Sequence, residues 1–213
     1  MIELKKHPKT YHHPLSLSVN NDDKVIRVDD LNDMIGLECI ASYKLDGECT
    51  TIYPNSKTHA RSIDSKYHPS RTWIRSYAAK VGYLIPDGLR VCGENLTAVH
   101  SIEYQDLGSY FFAFGVWRGD KCLNWDESIE TLKHCGIEPV EVLWRGELTQ
   151  DKIKELWGNL DTQVHEGLVF RVVEEFDMAE YSKKVFKLVR SNHVQTDKHW
   201  MKKEVVFNKL KQN

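Results

Sequence analysis

Alternation of apolar and polar residues marks several segments of the chain as β-strands. The pattern runs through "ECIASYKLDGECTTIY" from residue 38 and repeats in "RVCGENL", "SYFFAFGVW", "EGLVFRVV" and "KVFKLVR". Residues two apart in a strand share a face, so Ile40, Ser42, Lys44 and Asp46 would lie on one side of the first segment. The pattern predicts a substantial, antiparallel sheet system.

Three other segments have the helical period. Apolar residues from Trp73 to Val81 fall on one stripe after Ser70, which we expect to cap the helix. "WDESIETLKHC" predicts a second helix that stops at Gly136, and a third helix follows the capping residue Thr149. Strands and helices do not alternate regularly, so the pattern predicts an α+β fold.

The composition is that of an ordinary globular protein, with 41% hydrophobic and 28% charged residues. The start "MIELKKH" lacks the apolar stretch of a signal peptide, so we expect a cytoplasmic protein without membrane contact. Residues 1–35 are polar and rich in turn formers, which predicts an extended N-terminal arm. We expect residues 1–213 to form a single domain that ends in a basic C-terminal segment, residues 191–213.

Charge is uneven along the chain although its formal net value is only −2. Nine Lys or Arg residues lie between residues 183 and 211, against Asp197 and Glu204. A solvated terminal helix and a phosphate-binding surface explain this run equally well. The five cysteines suggest neither a disulfide framework nor a zinc ribbon, and no histidine spacing indicates a metal site.

Charged residues interrupt three of the apolar strands. Glu94, Glu166 and Lys187 each stand where a buried charge is costly without a partner or a ligand. Each residue alone is equally consistent with a structural salt bridge. No glycine-rich phosphate loop is present, so any phosphate chemistry must use side chains.

The order of these residues along the chain resembles that of the covalent nucleotidyltransferase superfamily, which contains ATP-dependent RNA and DNA ligases and capping enzymes. "KLDGE" resembles its nucleophile motif K-x-D-G, and "CGE", "FFAFGVW", "EGLVF" and "FKLVR" resemble the motifs that follow. The likeness covers residues 44 to 190 and is closest to small bacterial and phage-type RNA ligases, through "HARSIDSKYHPSRTW", "GENLTAVHSIEY" and "VRSNHVQTDKHWM". It implies a nucleotidyltransferase (ATP-grasp-like) fold with antiparallel sheets forming a nucleotide cleft. Because only about 24 residues follow the last motif, we expect no OB domain.

The resemblance implies a role for each motif residue. Lys44 would be the catalytic nucleophile that accepts AMP, Asp46 would shape its turn and assist strand joining, and Lys187 would contact the AMP phosphate during catalysis. The nucleotide would also be bound by Glu94 at the ribose hydroxyls, by Phe114 stacked on adenine, and by Arg61. Glu166 would help to hold a metal ion through water.

Two departures from the family pattern stand out. The aromatic motif often has an acidic residue after the stacking aromatic, whereas this chain has Gly115, and Phe112 is the alternative stacking residue. The last motif often has two lysines two residues apart, whereas valines flank Lys187 here. Arg190 is a candidate for the missing cation.

The implied reaction joins RNA ends with ATP as the AMP donor and Mg²⁺ or Mn²⁺ as the metal. Because an amine attacks phosphorus only when neutral, the pKa of Lys44 must fall from about 10.4 through burial or nearby cations. The expected partner is RNA with 5′-phosphate and 3′-hydroxyl ends, with a possible end-healing kinase and phosphatase. A DNA ligase, another nucleotidyltransferase, and an end-binding module without turnover remain alternatives.

Overall fold

The computed structural model describes residues 3–17, 19, 23–191 and 205–212. The chain divides into two compact units. Unit 1 comprises Met1–His7, Asp46–Val140 and Thr196–Asn213, and unit 2 comprises Pro8–Leu45 and Glu141–Gln195. Each unit combines an antiparallel sheet with helices, which confirms the α+β prediction. That the chain acts as a single domain stays a prediction.

The elements follow one another in an irregular order. The strands are β1 (Tyr11–His12), β2 (Glu38–Lys44), β3 (Glu48–Ile52), β4 (Thr58–Ala60), β5 (Leu89–Asn95), β6 (Phe111–Arg118), β7 (Lys121–Cys122), β8 (Val142–Glu147), β9 (Gly167–Val172), β10 (Phe176–Asp177) and β11 (Val185–Val189). The α-helices are α1 (Val28–Asn32), α2 (Thr72–Val81), α3 (Trp125–Cys135), α4 (Gln150–Gly158) and α5 (Tyr181–Lys184). Short 3-10 turns cover Pro69–Arg71, Gly82–Leu84 and Met178–Glu180.

The sheet of unit 2 has the strand order β1-β11-β9-β2-β8. Its strands are antiparallel except at the β1–β11 edge. Ala41 pairs with Phe170, which pairs with Phe186, and the two phenylalanine rings stack 4.9 Å apart. Both rings are fully buried, so this face of the sheet carries the apolar packing. The opposite face carries Ser42, Lys44 and Lys187.

The sheet of unit 1 includes β7, β6, β5, β3 and β4 in that order, all antiparallel. A buried cluster joins it to α2 and α3 through side chains that include Ile52, Ile74, Phe111, Val116 and Leu132. The β5–β6 ladder shifts register between Cys92 and Gly93, because Cys92 pairs with Gly115 and Gly93 pairs with Ala113. Phe114 is therefore the extra residue of a β-bulge, a device that changes the direction of a side chain.

Two of the three predicted helix boundaries agree with the structure. Gly136 ends α3 in the left-handed conformation at φ 63°, and the hydroxyl of Thr149 caps α4 by accepting from Lys152 N. The predicted cap at Ser70 is wrong, because Ser70 lies inside the 3-10 turn that precedes α2. His68 accepts from Ser70 N and caps that turn instead.

The two ends of the chain have little regular structure. In the arm, β1 and α1 are short, and the described part of the C-terminal segment, residues 205–212, has isolated β-bridges but no helix or named strand. Lys202 and Lys203, two of the nine basic residues between 183 and 211, lie outside the described residues. None of the helices in the described parts of the chain has the length and apolar character needed to cross a bilayer.

Candidate active site

Lys44 ends β2 and forms an ion pair with Glu166, the residue before β9. Lys44 Nζ lies 2.6 Å from Glu166 Oε2 and 3.3 Å from the carbonyl oxygen of Leu45. The strand register brings Lys44 close to Glu166, because Lys44 pairs with Gly167 across the β2–β9 ladder. The Lys44 side chain is 21% exposed and that of Glu166 is 5% exposed. The pair is thus largely buried, with the amine more accessible than the carboxylate.

Lys187 belongs to the same sheet face as Lys44. Ser42 pairs with Val169, which pairs with Lys187, and Lys44 is two residues from Ser42 along β2. Paired residues point to the same side of a sheet, so the two lysines share a face, separated by β9.

The N-terminal arm brings an acidic residue to Lys187. Asp23 Oδ1 lies 4.0 Å from Lys187 Nζ, and Asp23 Oδ2 lies 3.4 Å from Nε2 of the fully buried His12. His12 pairs with Lys187 along the parallel β1–β11 edge, and the carbonyl oxygen of Lys187 accepts from His13 N. The pattern of the arm gave no signal for this contact, because its residues are distant in sequence from β11.

Asp46 and Glu94 are both held in unit 1, where Asp46 is bound by residues 101–104 and Glu94 contacts the adjacent Gly47. Asp46 Oδ2 accepts from Ser101 N at 2.6 Å, Ser101 Oγ at 2.8 Å and Ile102 N at 2.8 Å. Glu94 Oε1 accepts from Gly47 N at 3.2 Å. Asp46 lies beyond the end of β2, so the predicted strand face ends at Lys44.

Two motif glycines are required by close backbone packing. A Cβ atom at Gly47 would meet the carbonyl oxygen of Asn95 and the side chain of Leu96, and one at Gly167 would meet the carbonyl oxygen of Leu188. Any larger residue would displace the neighbouring backbone. Close backbone packing therefore explains the glycines of "KLDGE" and "EGLVF".

Phe114, in the bulge of β6, packs against the buried His7. Their ring centroids are 5.2 Å apart, and the rings are tilted by 54°. Burial lowers the pKa of His7 to about 3, and the positive charges of Arg90 and Arg61 act in the same direction. Phe112 and Phe114 are both partly exposed.

The two arginines of the sequence prediction differ in environment. The side chain of Arg61, just after β4, is exposed. Arg190, the candidate second cation, donates from Nη1 to the carbonyl oxygen of Thr162 at 2.9 Å.

Arg71 belongs to the stretch "HARSIDSKYHPSRTW" that resembles RNA ligases. Its guanidinium makes a fork-like pair with the Glu48 carboxylate, which includes a 2.7 Å bond from Nε to Oε2. Arg71 therefore has a structural role in unit 1.

The predicted site residues thus form two groups, one in each unit. Unit 2 brings Lys44, Glu166 and Lys187 onto one sheet, and unit 1 contains Asp46, Arg61, Glu94 and Phe114. Sequence reasoning missed Asp23 on Lys187 and the donors Ser101 and Ile102 on Asp46. His193 and Trp200, which belong to the RNA-ligase-like stretch "VRSNHVQTDKHWM", lie outside the described residues.

Glu166 fits a site that holds a metal with substrate oxygens. The described residues contain no group of three His, Cys, Asp or Glu side chains suited to a metal. Mg²⁺ is commonly held by one or two carboxylates together with phosphate oxygens and water. A single buried carboxylate beside the proposed nucleophile matches that arrangement.

Comparisons with known proteins agree with the motif order. The family model described as RNA ligase matches residues 37–189. No curated protein matches the chain in sequence.

Several solved structures resemble the fold. A Naegleria gruberi RNA ligase with PPi has a TM-score of 0.62 at 18% identity, over 90% of this chain and 57% of that one. A mutant of that ligase with ATP and Mn has a TM-score of 0.55 at 16% identity, over 92% and 61%. An archaeal ATP-dependent RNA ligase has a TM-score of 0.59 at 15% identity, over 88% and 49%.

This chain therefore spans about half to three fifths of the length of those ligases. The structural likeness supports a nucleotidyltransferase-type fold with antiparallel sheets. The family match covers most of the chain, including all the motif residues from Lys44 to Lys187. The chain belongs to the RNA ligase family.

Proposed function

We propose that this protein is an ATP-dependent RNA ligase that works through a covalent AMP adduct of Lys44. The observation that carries the proposal is the 2.6 Å ion pair between Lys44 and the buried Glu166, on the same sheet face as Lys187. A lysine beside a buried carboxylate, with a second lysine on the same face, has the groups that nucleotidyl transfer requires. The family match and the ATP-dependent ligases among the similar structures support this assignment.

The first step would form the adduct. The Lys44 amine would bond to the α-phosphorus of ATP while the bond from that phosphorus to the bridging oxygen breaks and pyrophosphate leaves. The carboxylate stabilises the protonated amine in the ligand-free protein, so Lys44 must first lose a proton. Glu166 Oε2 is at hydrogen-bond distance to accept it. Lys187 would donate to a phosphate oxygen.

Glu166 is also the residue that would hold Mg²⁺ or Mn²⁺ through water. A divalent cation supplies positive charge that neutralises the triphosphate and the charge that develops on the leaving group. Glu94 would bind the ribose hydroxyls, Phe114 would stack on adenine, and exposed Arg61 would contact nucleotide or the RNA end. These roles follow from the motif positions.

Two further steps would seal RNA. An oxygen of an RNA 5′-phosphate would attack the phosphorus of the adduct, and the bond from that phosphorus to the Lys44 nitrogen would break. A 3′-hydroxyl would then attack the phosphorus of the RNA 5′-phosphate and release AMP. We place Asp46 in this joining step, because its Oδ2 is anchored by three donors while Oδ1 accepts no hydrogen bond from the described residues. RNA breaks with other termini would first need a kinase and a phosphatase.

The test is adduct formation with α-labelled ATP and Mg²⁺ or Mn²⁺, followed by denaturing electrophoresis. Wild type and Lys154→Ala, which changes an exposed lysine of α4, should be labelled. Lys44→Ala should not. Chase with 5′-phosphorylated RNA should release the label, whereas matched DNA should release less. Equal release by DNA would instead support a DNA ligase, and a folded protein without label would contradict the ligase assignment.

A further inference from the structure

The C-terminal residues 205–212 bind along the loop between β5 and β6, residues 96–110, which we call the Asp46 loop. Backbone hydrogen bonds join Val99 N to Val206 O at 2.8 Å and Asn208 N to Thr97 O at 3.1 Å. The contact continues where Lys209 N donates to Tyr104 O and Leu107 N donates to Lys209 O. This end of the chain is therefore built into unit 1.

Asn208 is the centre of this contact. The residue is 2% exposed, and its side-chain Oδ1 accepts from Tyr104 N at 2.8 Å. Its Nδ2 donates to the carbonyl oxygens of Leu96 at 2.7 Å and Ala98 at 3.2 Å. The hydroxyl of Tyr110 donates to the Asn208 carbonyl oxygen at 2.8 Å. A buried amide with all these bonds fixes the path of the Asp46 loop.

The Asp46 loop in turn holds Asp46. The hydroxyl of Tyr104 accepts from Asp46 N at 3.0 Å. Ser101 and Ile102, in the same loop, supply the three donors to Asp46 Oδ2. These hydrogen bonds of Asp46 all involve residues 101–104. The backbone of Tyr104 is in turn bonded through both its N–H and its carbonyl oxygen to the C-terminal residues.

We propose that Asn208 is a positioning residue for Asp46, so that the C-terminal end of the chain completes the nucleophile motif. Asn208 acts through Tyr104, which connects the buried amide to the Asp46 backbone. The inference rests on the proposed function where it concerns strand joining. Residues 205–212 form no helix, contrary to one of the two expectations for the basic run, and phosphate contact by that run stays a prediction.

The first measurement is hydrogen exchange of the peptide that contains Asp46 and Gly47, read by mass spectrometry. Asn208→Ala should raise the exchange rate of these amides by about tenfold, the equivalent of one hydrogen bond of about 1.4 kcal/mol. Tyr104→Phe, which removes only the accepting hydroxyl, should do the same. Gln212→Ala, at an exposed position of the same segment, should change nothing.

The second measurement is single-turnover sealing of preadenylylated RNA, which bypasses adduct formation. Asn208→Ala should lower the maximal rate by about tenfold while leaving the KM for RNA unchanged, since the lost contact orients Asp46. Label transfer from ATP to Lys44 should persist. Asn208→Asp keeps the acceptor for Tyr104 N and should recover part of the rate.

The two variants should not act independently. Asn208→Ala and Tyr104→Phe interrupt one chain of bonds, so the double variant should be no slower than the slower single variant. Should Asn208→Ala fail to fold, Asn208→Asp and Tyr104→Phe carry the same comparison. Unchanged exchange at Asp46 in folded variants, or additive losses of rate, would overturn the proposal. Raised exchange in the variants, together with a wild type that shows no ligase activity, would instead overturn the proposed function alone.

Discussion

The Lys44–Glu166 ion pair should be coupled far more strongly than a surface ion pair of the same length. At 2.6 Å two unit charges attract by about 6 kcal/mol at an effective dielectric constant of about 20. Loss of hydration by two largely buried ions offsets most of this attraction. We therefore expect a net coupling of about 2 kcal/mol in the ligand-free protein.

The two single variants should differ because the partners differ in exposure. Lys44→Met removes the cation 2.6 Å from a carboxylate that is only 5% exposed, which should lower the free energy of unfolding by about 3 kcal/mol. Glu166→Gln leaves Lys44 at 21% exposure with a neutral acceptor, so the loss should be smaller, about 2 kcal/mol. The double variant should lose less than the sum of the two.

Urea unfolding of ligand-free protein, followed by circular dichroism, measures this double-mutant cycle. The matched control is Lys152–Glu155 on α4, which has the same 2.6 Å separation but side chains 29% and 54% exposed. Its coupling should be about 0.3 to 0.5 kcal/mol. A Lys44–Glu166 coupling no larger than that of the control would refute the reasoning from burial.

Three further predictions concern other parts of the candidate site. Asp23→Asn should lower the KM for ATP in adduct formation by about threefold, because it removes a negative charge 4.0 Å from Lys187; an increased KM would contradict this. Gly47→Ala should lower the free energy of unfolding by about 1 to 3 kcal/mol in urea unfolding, since its Cβ would collide with backbone atoms. In the control Gly108→Ala the added Cβ has no neighbouring atom within 4 Å, so the free energy of unfolding should not change. The pKa of His7 is lowered from 6.5 to about 3, so below about pH 6.5 the unfolded chain binds a proton that the folded protein does not. The free energy of unfolding should therefore decrease as the pH falls from 6.5, by up to about 1.4 kcal/mol per pH unit. His7→Gln should lose less stability than wild type between pH 6.5 and 4 in urea titrations, with exposed His134→Gln as control; parallel losses would disprove the assignment.

Local rules predicted those elements whose ends depend on local chemistry. Gly136 and Thr149 end and begin helices because one tolerates φ 63° and the other offers a hydroxyl to the first turn. Ser70 has the same capping chemistry, yet His68 starts a 3-10 turn ahead of it. The sequence pattern alone does not distinguish the two possibilities.

Strand β8 shows where periodicity fails. Val142–Glu147 is mostly exposed and lies at the edge of its sheet, so it needs no apolar face, and it was not predicted. It is held by pairing with β2, including Ala41 with Trp144, a contact distant in sequence.

The motif residues could be predicted, but most of their supporting contacts could not. Lys44, Glu166 and Lys187 interrupt apolar strands, and the register of β2, β9 and β11 places them on one sheet. Asp23 and Asn208 come from polar, irregular segments without periodicity. Their contacts depend on where the folded chain ends pass, which local pattern does not encode.

The central claim is that Lys44 is the residue that becomes adenylylated. The most direct test is mass spectrometry of protease fragments after incubation of the intact protein with ATP and Mg²⁺ or Mn²⁺, at neutral or basic pH. We expect one AMP moiety on the peptide containing Lys44, assigned to that residue by fragmentation and lost on addition of 5′-phosphorylated RNA. An adduct on another residue, or no adduct on folded wild-type protein, would contradict it.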